Sequence, residues 1–233
     1  MAAFAAAVAL GYGHVETDVH VTSDGVLLAF HDDRLERVTD AQGIVAELPW
    51  AKIARARVAG REPIARLDDL LGAWPDLRIN LDAKHDDVVG PLVRLLTEER
   101  ALDRVCVGAF SMRRVTRLRR ALGSGLCSAL APPEVLALRA AAWGVPGAAA
   151  RARRGGGTCV QVPLRSRRIP LVDRSMLQAA RRSGLPLHVW TVDEPMAMGR
   201  LLDLGVDGIM TDRPGVLRDV LRARGAWHEA GTP

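Results

Sequence analysis

Two acids and a histidine near the start of the chain define the chemistry it can do. Glu16 and Asp18 stand two residues apart, Thr22-Ser23-Asp24-Gly25 follows, and His31-Asp32 comes next. On an extended strand, residues two apart point to the same face. Glu16 and Asp18 therefore present their carboxylates side by side. Asp24-Gly25 is a hairpin signal. It turns the chain back through Val26–Phe30 and delivers His31 beside the acids. Hard carboxylate oxygens suit a divalent cation such as Mg2+ or Ca2+. An adjacent imidazole suits proton transfer near neutral pH. The combination fits metal-dependent phosphodiester cleavage.

A second stretch, Ile79-Asn80-Leu81-Asp82-Ala83-Lys84, alternates apolar and polar residues. Asn80, Asp82 and Lys84 then share one face. Asp82 would complete an oxygen-rich shell with Glu16 and Asp18. Lys84, one of only two lysines with Lys52, would hold a phosphate oxygen as a point charge. The alternative is a structural Asp82–Lys84 ion pair. Trp190, ending another strand, reads either as a pocket wall or as a packed core aromatic. His188 is expected in the core. His14, His20, His85 and His228 carry no argument beyond surface or strand-end positions. Arg113, Arg114, Arg117 and Arg120 fall on one helical face, expected to be solvated. Arg165, Arg167 and Arg168 could attract an anionic group.

These residues need a scaffold, and the chain alternates strand-like and helix-like runs. Strands are expected at residues 14–20, 78–83, 105–110, 126–130, 158–162, 187–191 and 208–211. Helices are expected between them at residues 67–74, 88–99, 113–121, 133–143, 172–183, 195–204 and 215–224, with a further helix over Met1–Leu10. Such alternation predicts an α/β fold with a parallel sheet and outer helices. The count points to a TIM (β/α)8-type barrel with one strand unaccounted for, whose chemistry sits at the C-terminal ends of the strands. A doubly wound open sheet is the alternative, but no glycine-rich phosphate loop follows the first strand. Residues 1–228 read as a single domain, with 229–233 as a tail. Residues 32–62 form a long, polar, irregular insertion of the kind that serves as a lid.

Composition narrows the partners. A net charge of +5 suggests anionic partners, yet aromatic residues make up only 4 % of the 233, too few for base-stacking platforms. Nucleic acid is therefore not expected, and a small-molecule substrate is. No apolar run reaches the ~20 residues of a membrane span; a weak membrane-surface contact stays open. Cys106, Cys127 and Cys159 sit in or beside apolar runs, read as buried thiols in a reducing, cytoplasmic setting.

These motifs resemble the glycerophosphodiester phosphodiesterase family. Its pattern E-x-D-V-x-x-T-x-D-G-x-x-V-x-x-H-D-x-x-L-x-R-x-T runs from Glu16 to Thr39, including Leu35 and Arg37, softened at Leu28-Ala29-Phe30. Its E-x-K strand appears as Asp82-Ala83-Lys84 and its S-F strand end, shifted, as Ala109-Phe110-Ser111. W-T-V appears at Trp190–Val192, and G-V-D-G-I-x-T-D-x-P at Gly205–Pro214. The resemblance implies a TIM barrel of the phospholipase-C-like type, with a segment inserted after the second strand. It also implies divalent-metal-dependent hydrolysis of glycerophosphodiesters to glycerol 3-phosphate and an alcohol. Metal ligands carry over to Glu16, Asp18 and, with Asp in place of Glu, Asp82. His31 carries over as one of two acid/base histidines and Lys84 as a catalytic phosphate contact. Phe110 and Trp190 fall on the substrate side. The family's first strand, ending H-R-G and followed by P-E-N-T, has no counterpart before Met1-Ala2-Ala3-Phe4. Either Met1 is internal to a longer protein, or the chain is a truncated, catalytically impaired barrel that binds metal or phosphodiester. A lysophospholipase D-like activity on the same scaffold is a further alternative.

Overall fold

The structure, a computed structural model, describes residues 1–227. The expected tail at 229–233 and His228 lie outside them. Residue contacts divide the chain into two compact units. The first holds Met1–Ala9 and Gly13–Cys127; the second holds Leu10–Tyr12 and the chain from Ser128 onward.

The first unit begins with α1 (Ala2–Ala9), then β1 (His14–Val21) and β2 (Leu27–Ala29). Next come α2 (Trp50–Ile53), β3 (Arg57–Val58), β4 (Glu62–Pro63), β5 (Ala65–Arg66) and α3 (Leu67–Ala73). It continues through β6 (Arg78–Ala83), α4 (Val89–Glu98), β7 (Val105–Gly108), α5 (Met112–Leu122) and the short β8 (Cys127–Ser128), at which the chain leaves the unit. Its sheet runs β5-β2-β1-β6-β7-β8. β1 pairs parallel with β6, and β6 with β7, whereas β2 is antiparallel to both β1 and β5.

Alternation along β1 and β6 decides which residues face the core. Val19, Val21, Ile79, Leu81 and Ala83 are buried and pack with Leu67, Leu70, Leu71 and Leu92. The other face of the same two strands is left to Glu16, Asp18 and His20, and to Asn80, Asp82 and then Lys84. A strand buried on one side by branched apolar residues has its register fixed, because a one-residue slip would exchange the two faces.

The hairpin between β1 and β2 is closed by its own side chains. Thr22 Oγ1 donates to Asp24 Oδ1 at 2.5 Å and accepts from the Val26 N–H at 2.9 Å. Gly25 sits at φ +89°, where a side chain would be strained.

Residues 32–62 differ from the expected irregular segment. They contain a 3-10 turn at Val45–Glu47, α2 and the β3–β4 hairpin. They also supply Leu35, Val45, Ile53 and Ala56 to a separate buried cluster with Leu28, Phe30 and Ile64. The apolar residues that build this core are spaced without helix or strand period, so no periodic pattern announces them. Asp24 Oδ1 accepts from the Trp50 N–H at 2.9 Å, which docks the hairpin on this small core.

On α5 the expected solvated arginine face holds for Arg113, Arg117 and Arg120, which are exposed, but not for Arg114. Arg114 reaches back to donate to the Ala83 carbonyl at 2.6 Å and to Asp86 Oδ1 at 3.1 Å. It ties α5 to the C-terminal end of β6.

The second unit has a parallel sheet, β9 (Val160–Val162) beside β12 (Leu187–Val189) beside β13 (Gly208–Ile209). Its helices are α6 (Pro132–Ala142), α7 (Ala148–Arg153), α8 (Arg174–Arg182), α9 (Pro195–Leu204) and α10 (Pro214–Ala223), with a small hairpin of β10 (Arg165–Ser166) and β11 (Ile169–Pro170). Asp173 caps α8 by accepting from the Met176 N–H at 2.8 Å, and the buried Arg139 donates to its other carboxylate oxygen at 2.8 Å. No described helix is long and apolar enough to cross a membrane.

Candidate active site

Parallel pairing of β1 with β6 sets Asp18 directly opposite Asp82, and Glu16 opposite Asn80. One residue beyond β6, Lys84 places its ammonium between the two aspartates. Nζ lies 2.6 Å from Asp18 Oδ1 and 2.8 Å from Asp82 Oδ2. The Asp82–Lys84 ion pair weighed from the sequence therefore exists, and it extends to Asp18. Burial works against the charge on Lys84, but the hydrogen bonds and charges of Asp18 and Asp82 outweigh it and raise its pKa.

Glu16 is exposed to solvent although protein atoms crowd around it. Its carboxyl is pushed up to about 7, first by burial and then by Asp18 and Asp82, against the pull of Lys84 and His31. Since water reaches this side chain, the neighbouring carboxylates are the firmer part of the cause. Asp18 and Asp82 thus share one ammonium, whose charge Glu16 also feels, and the three carboxyl groups are short of positive charge.

His31 arrives through the hairpin. Val19 pairs with Ala29, and the Phe30 N–H continues the ladder to the Asp18 carbonyl at 3.1 Å. His31 Nε2 then stands 3.8 Å from Asp18 Oδ2. On its other side, Nδ1 lies 2.6 Å from Asp32 Oδ1. Arg37 grips Asp32 with both Nε and Nη2, the latter at 2.9 Å. Hydrogen bonds from Arg37, then from His31, hold the Asp32 carboxyl down to about 2. An ionised Asp32 accepts from Nδ1–H and leaves Nε2 to trade protons on the cleft side.

Of the residues expected at the site, Glu16, Asp18, His31, Asp82 and Lys84 lie together at one end of the first unit's sheet. Phe110, two residues past β7 and largely exposed, has its ring centroid 5.8 Å from Lys84 Nζ, within cation–π range. Trp190 follows β12 in the second unit, where its N–H donates to the Val162 carbonyl at 3.1 Å. The bridging of His31 to Arg37 through Asp32 was not anticipated, although both residues lie in the quoted motif. Nor was the role of His20 and His85, which the sequence left as surface or strand-end histidines. His20 is buried and its Nε2 lies 3.1 Å from the His31 carbonyl, while His85 Nε2 lies 2.9 Å from Asp33 Oδ1.

The donor set fits a hard divalent cation. Asp82 spends Oδ2 on Lys84, but its Oδ1 is buried with no hydrogen-bond partner among the described residues. An orphaned carboxylate oxygen is costly, and a cation is one way to satisfy it. Oxygen donors from Glu16, Asp18 and Asp82 suit Mg2+ or Ca2+.

The model of the glycerophosphoryl diester phosphodiesterase family matches residues 1–216. The chain belongs to this family. A Mycobacterium tuberculosis protein named "Probable glycerophosphodiester phosphodiesterase 2" is 40 % identical over 99 % of this chain and 87 % of its own length. A glycerophosphodiester phosphodiesterase of Caldanaerobacter subterraneus is 28 % identical over 97 % of this chain and 92 % of its own. Among solved structures, an Oleispira antarctica phosphodiesterase in complex with its product sn-glycerol-3-phosphate superposes with a TM-score of 0.78. It is 17 % identical, and the match covers 94 % of this chain and 89 % of that one. The expected fold is thereby met: the chain is an α/β protein with the fold of the TIM-barrel-type phosphodiesterases of this family.

Proposed function

We propose that this protein hydrolyses small-molecule glycerophosphodiesters to glycerol 3-phosphate and an alcohol, with Mg2+ or Ca2+ held by Glu16, Asp18 and Asp82. The orphaned Oδ1 of Asp82, beside two further carboxyl groups and a single ammonium, carries this reading. When bound, the cation supplies Lewis-acid polarisation of the phosphoryl group. Lys84 has three N–H donors and gives two to Asp18 and Asp82, which leaves one for a phosphate oxygen. Phe110, against the same ammonium, forms an apolar wall on the substrate side. His31 exchanges a proton at Nε2 with an oxygen of the reacting diester, and Asp32, fixed by Arg37, holds the ring in the Nδ1–H tautomer. Water is consumed, and the bond from phosphorus to the alcohol oxygen breaks. A reducing, cytoplasmic setting belongs to the same proposal; its support is that Cys106, Cys127 and Cys159 are in no disulfide, although only Cys159 is buried as expected and the other two are half-buried.

The test is release of glycerol 3-phosphate from glycerophosphocholine in Mg2+ or Ca2+. Turnover that a chelator abolishes and the cation restores is expected. No release in either cation, or release indifferent to chelation, would overturn the reading.

A further inference from the structure

A second cluster of ligating groups lies outside the carboxylate set. His20 lies near the C-terminal end of β1, Asp33 is in the inserted segment, and His85 follows β6. One ligand atom from each comes within 4.8 Å of the others. His85 Nε2 is 2.9 Å from Asp33 Oδ1, and His20 Nδ1 is 3.8 Å from that same oxygen. The two imidazole centroids are 5.3 Å apart.

The orientation of His20 is the telling feature. Its side chain is 2 % exposed, and Nε2 faces the His31 carbonyl at 3.1 Å. A carbonyl only accepts, so Nε2 carries the proton. In the neutral ring Nδ1 then keeps its lone pair, and Asp33 Oδ1 lies 3.8 Å from it, beyond hydrogen-bond distance. Two acceptors 3.8 Å apart, with no hydrogen bond joining them, have room for a positive centre. Metal-ligating histidines have this form: the distal N–H is held by a backbone carbonyl, which fixes tautomer and ring orientation. Donors around one tetrahedral Zn2+ at about 2.0–2.1 Å stand about 3.3 Å apart. The separations of 2.9 and 3.8 Å bracket that value. Asp33 and His85 are exposed, so water can fill the remaining positions.

We propose that His20, Asp33 and His85 form a binding site for a transition-metal ion of the Zn2+ class, distinct from the carboxylate centre. Two imidazoles and one carboxylate favour such an ion over Mg2+ or Ca2+, which prefer all-oxygen shells. The ion would clamp the start of the inserted segment to the ends of β1 and β6. Because His20 also holds the His31 carbonyl, and Asp33 is the next residue after Asp32, the clamp would fix the backbone that presents His31.

The probe is Co2+, added to the whole protein in millimolar Mg2+ so that the carboxylate centre is filled by the hard ion. Saturable binding of one Co2+ per chain, with a four- or five-coordinate visible absorption band that Zn2+ displaces, is expected. His85→Ala and Asp33→Asn, at exposed positions, should each weaken it by more than the about 10–100-fold that loss of an outer-shell partner costs. Asp82→Asn, in the other centre, should leave the band intact. Zn2+ should raise the Tm of the native protein in Mg2+ but not that of His85→Ala. The proposal is overturned if no such band appears, if the His85 variant binds Co2+ like the native chain, or if Asp82→Asn removes the band.

Discussion

His31 Nδ1 lies 2.6 Å from Asp32 Oδ1, and Arg37 holds the same carboxylate from behind. The relation turns an exposed histidine into an oriented one. It rests on a segment of seven residues, so a single local fold supplies both the proton-transfer group and its support.

Removing the imidazole should abolish that proton transfer. His31→Ala is expected to lower kcat by ~100-fold or more with the fold intact. Asp32→Asn keeps the size but loses the charge that selects the tautomer. It should lower kcat by about 10–100-fold, with KM little changed. Steady-state kinetics with a circular-dichroism check decides both. Near-native turnover in His31→Ala would remove the histidine from the reaction.

Lys84 neutralises Asp18 and Asp82 wherever no cation does so. Lys84→Met should therefore destabilise the cation-free protein by about 1–3 kcal/mol, because two half-buried carboxylates lose their partner. Saturating Mg2+ or Ca2+ should narrow that gap. Denaturant melts of both proteins with and without the cation measure it, and an equal gap in both conditions would contradict a shared charge-balancing role.

Glu16 gives a pH signature. Its carboxyl binds its proton more tightly in the folded protein, at about 7, than at its ordinary 4.5. The folded state then holds more protons than the unfolded one between these values. Stability of the cation-free protein is expected to fall as pH rises through that window. A divalent cation competes with the same proton, so its stabilising effect should be larger at pH 8 than at pH 5. Thermal melts across this range with and without Mg2+ test it; a cation effect independent of pH would exclude Glu16 as a ligand.

Gly208 is required by a close approach in the second unit. It pairs with His188, and a Cβ at position 208 would fall 2.8 Å from His188 Cδ2 and 3.2 Å from Cγ. Gly208→Ala should cost about 1–3 kcal/mol through overpacking. The double variant with His188→Ala should recover part of it. If the cost of Gly208→Ala is unchanged in that background, the ring is not the obstacle.

Local geometry enforces part of the site's arrangement from residue type and spacing alone. Spacing of two along a strand puts Glu16 with Asp18, and Asp82 with Lys84, on common faces. Thr22 and Asp24-Gly25 carry a local hairpin signal that turns His31 back toward the acids. Strand-helix alternation carried the α/β class and, through the motifs, the family. How the two strands meet depends on long-range packing. Parallel register brings Asp18 opposite Asp82 and inserts Lys84 between them, and no residue in either strand states that register alone. The core of the inserted segment and the grip of Arg114 on β6 escaped the sequence for the same reason. So did the meeting of His20, Asp33 and His85, drawn from three separate segments. Periodicity records which face of an element is apolar; it holds no record of contacts made by isolated side chains across long loops.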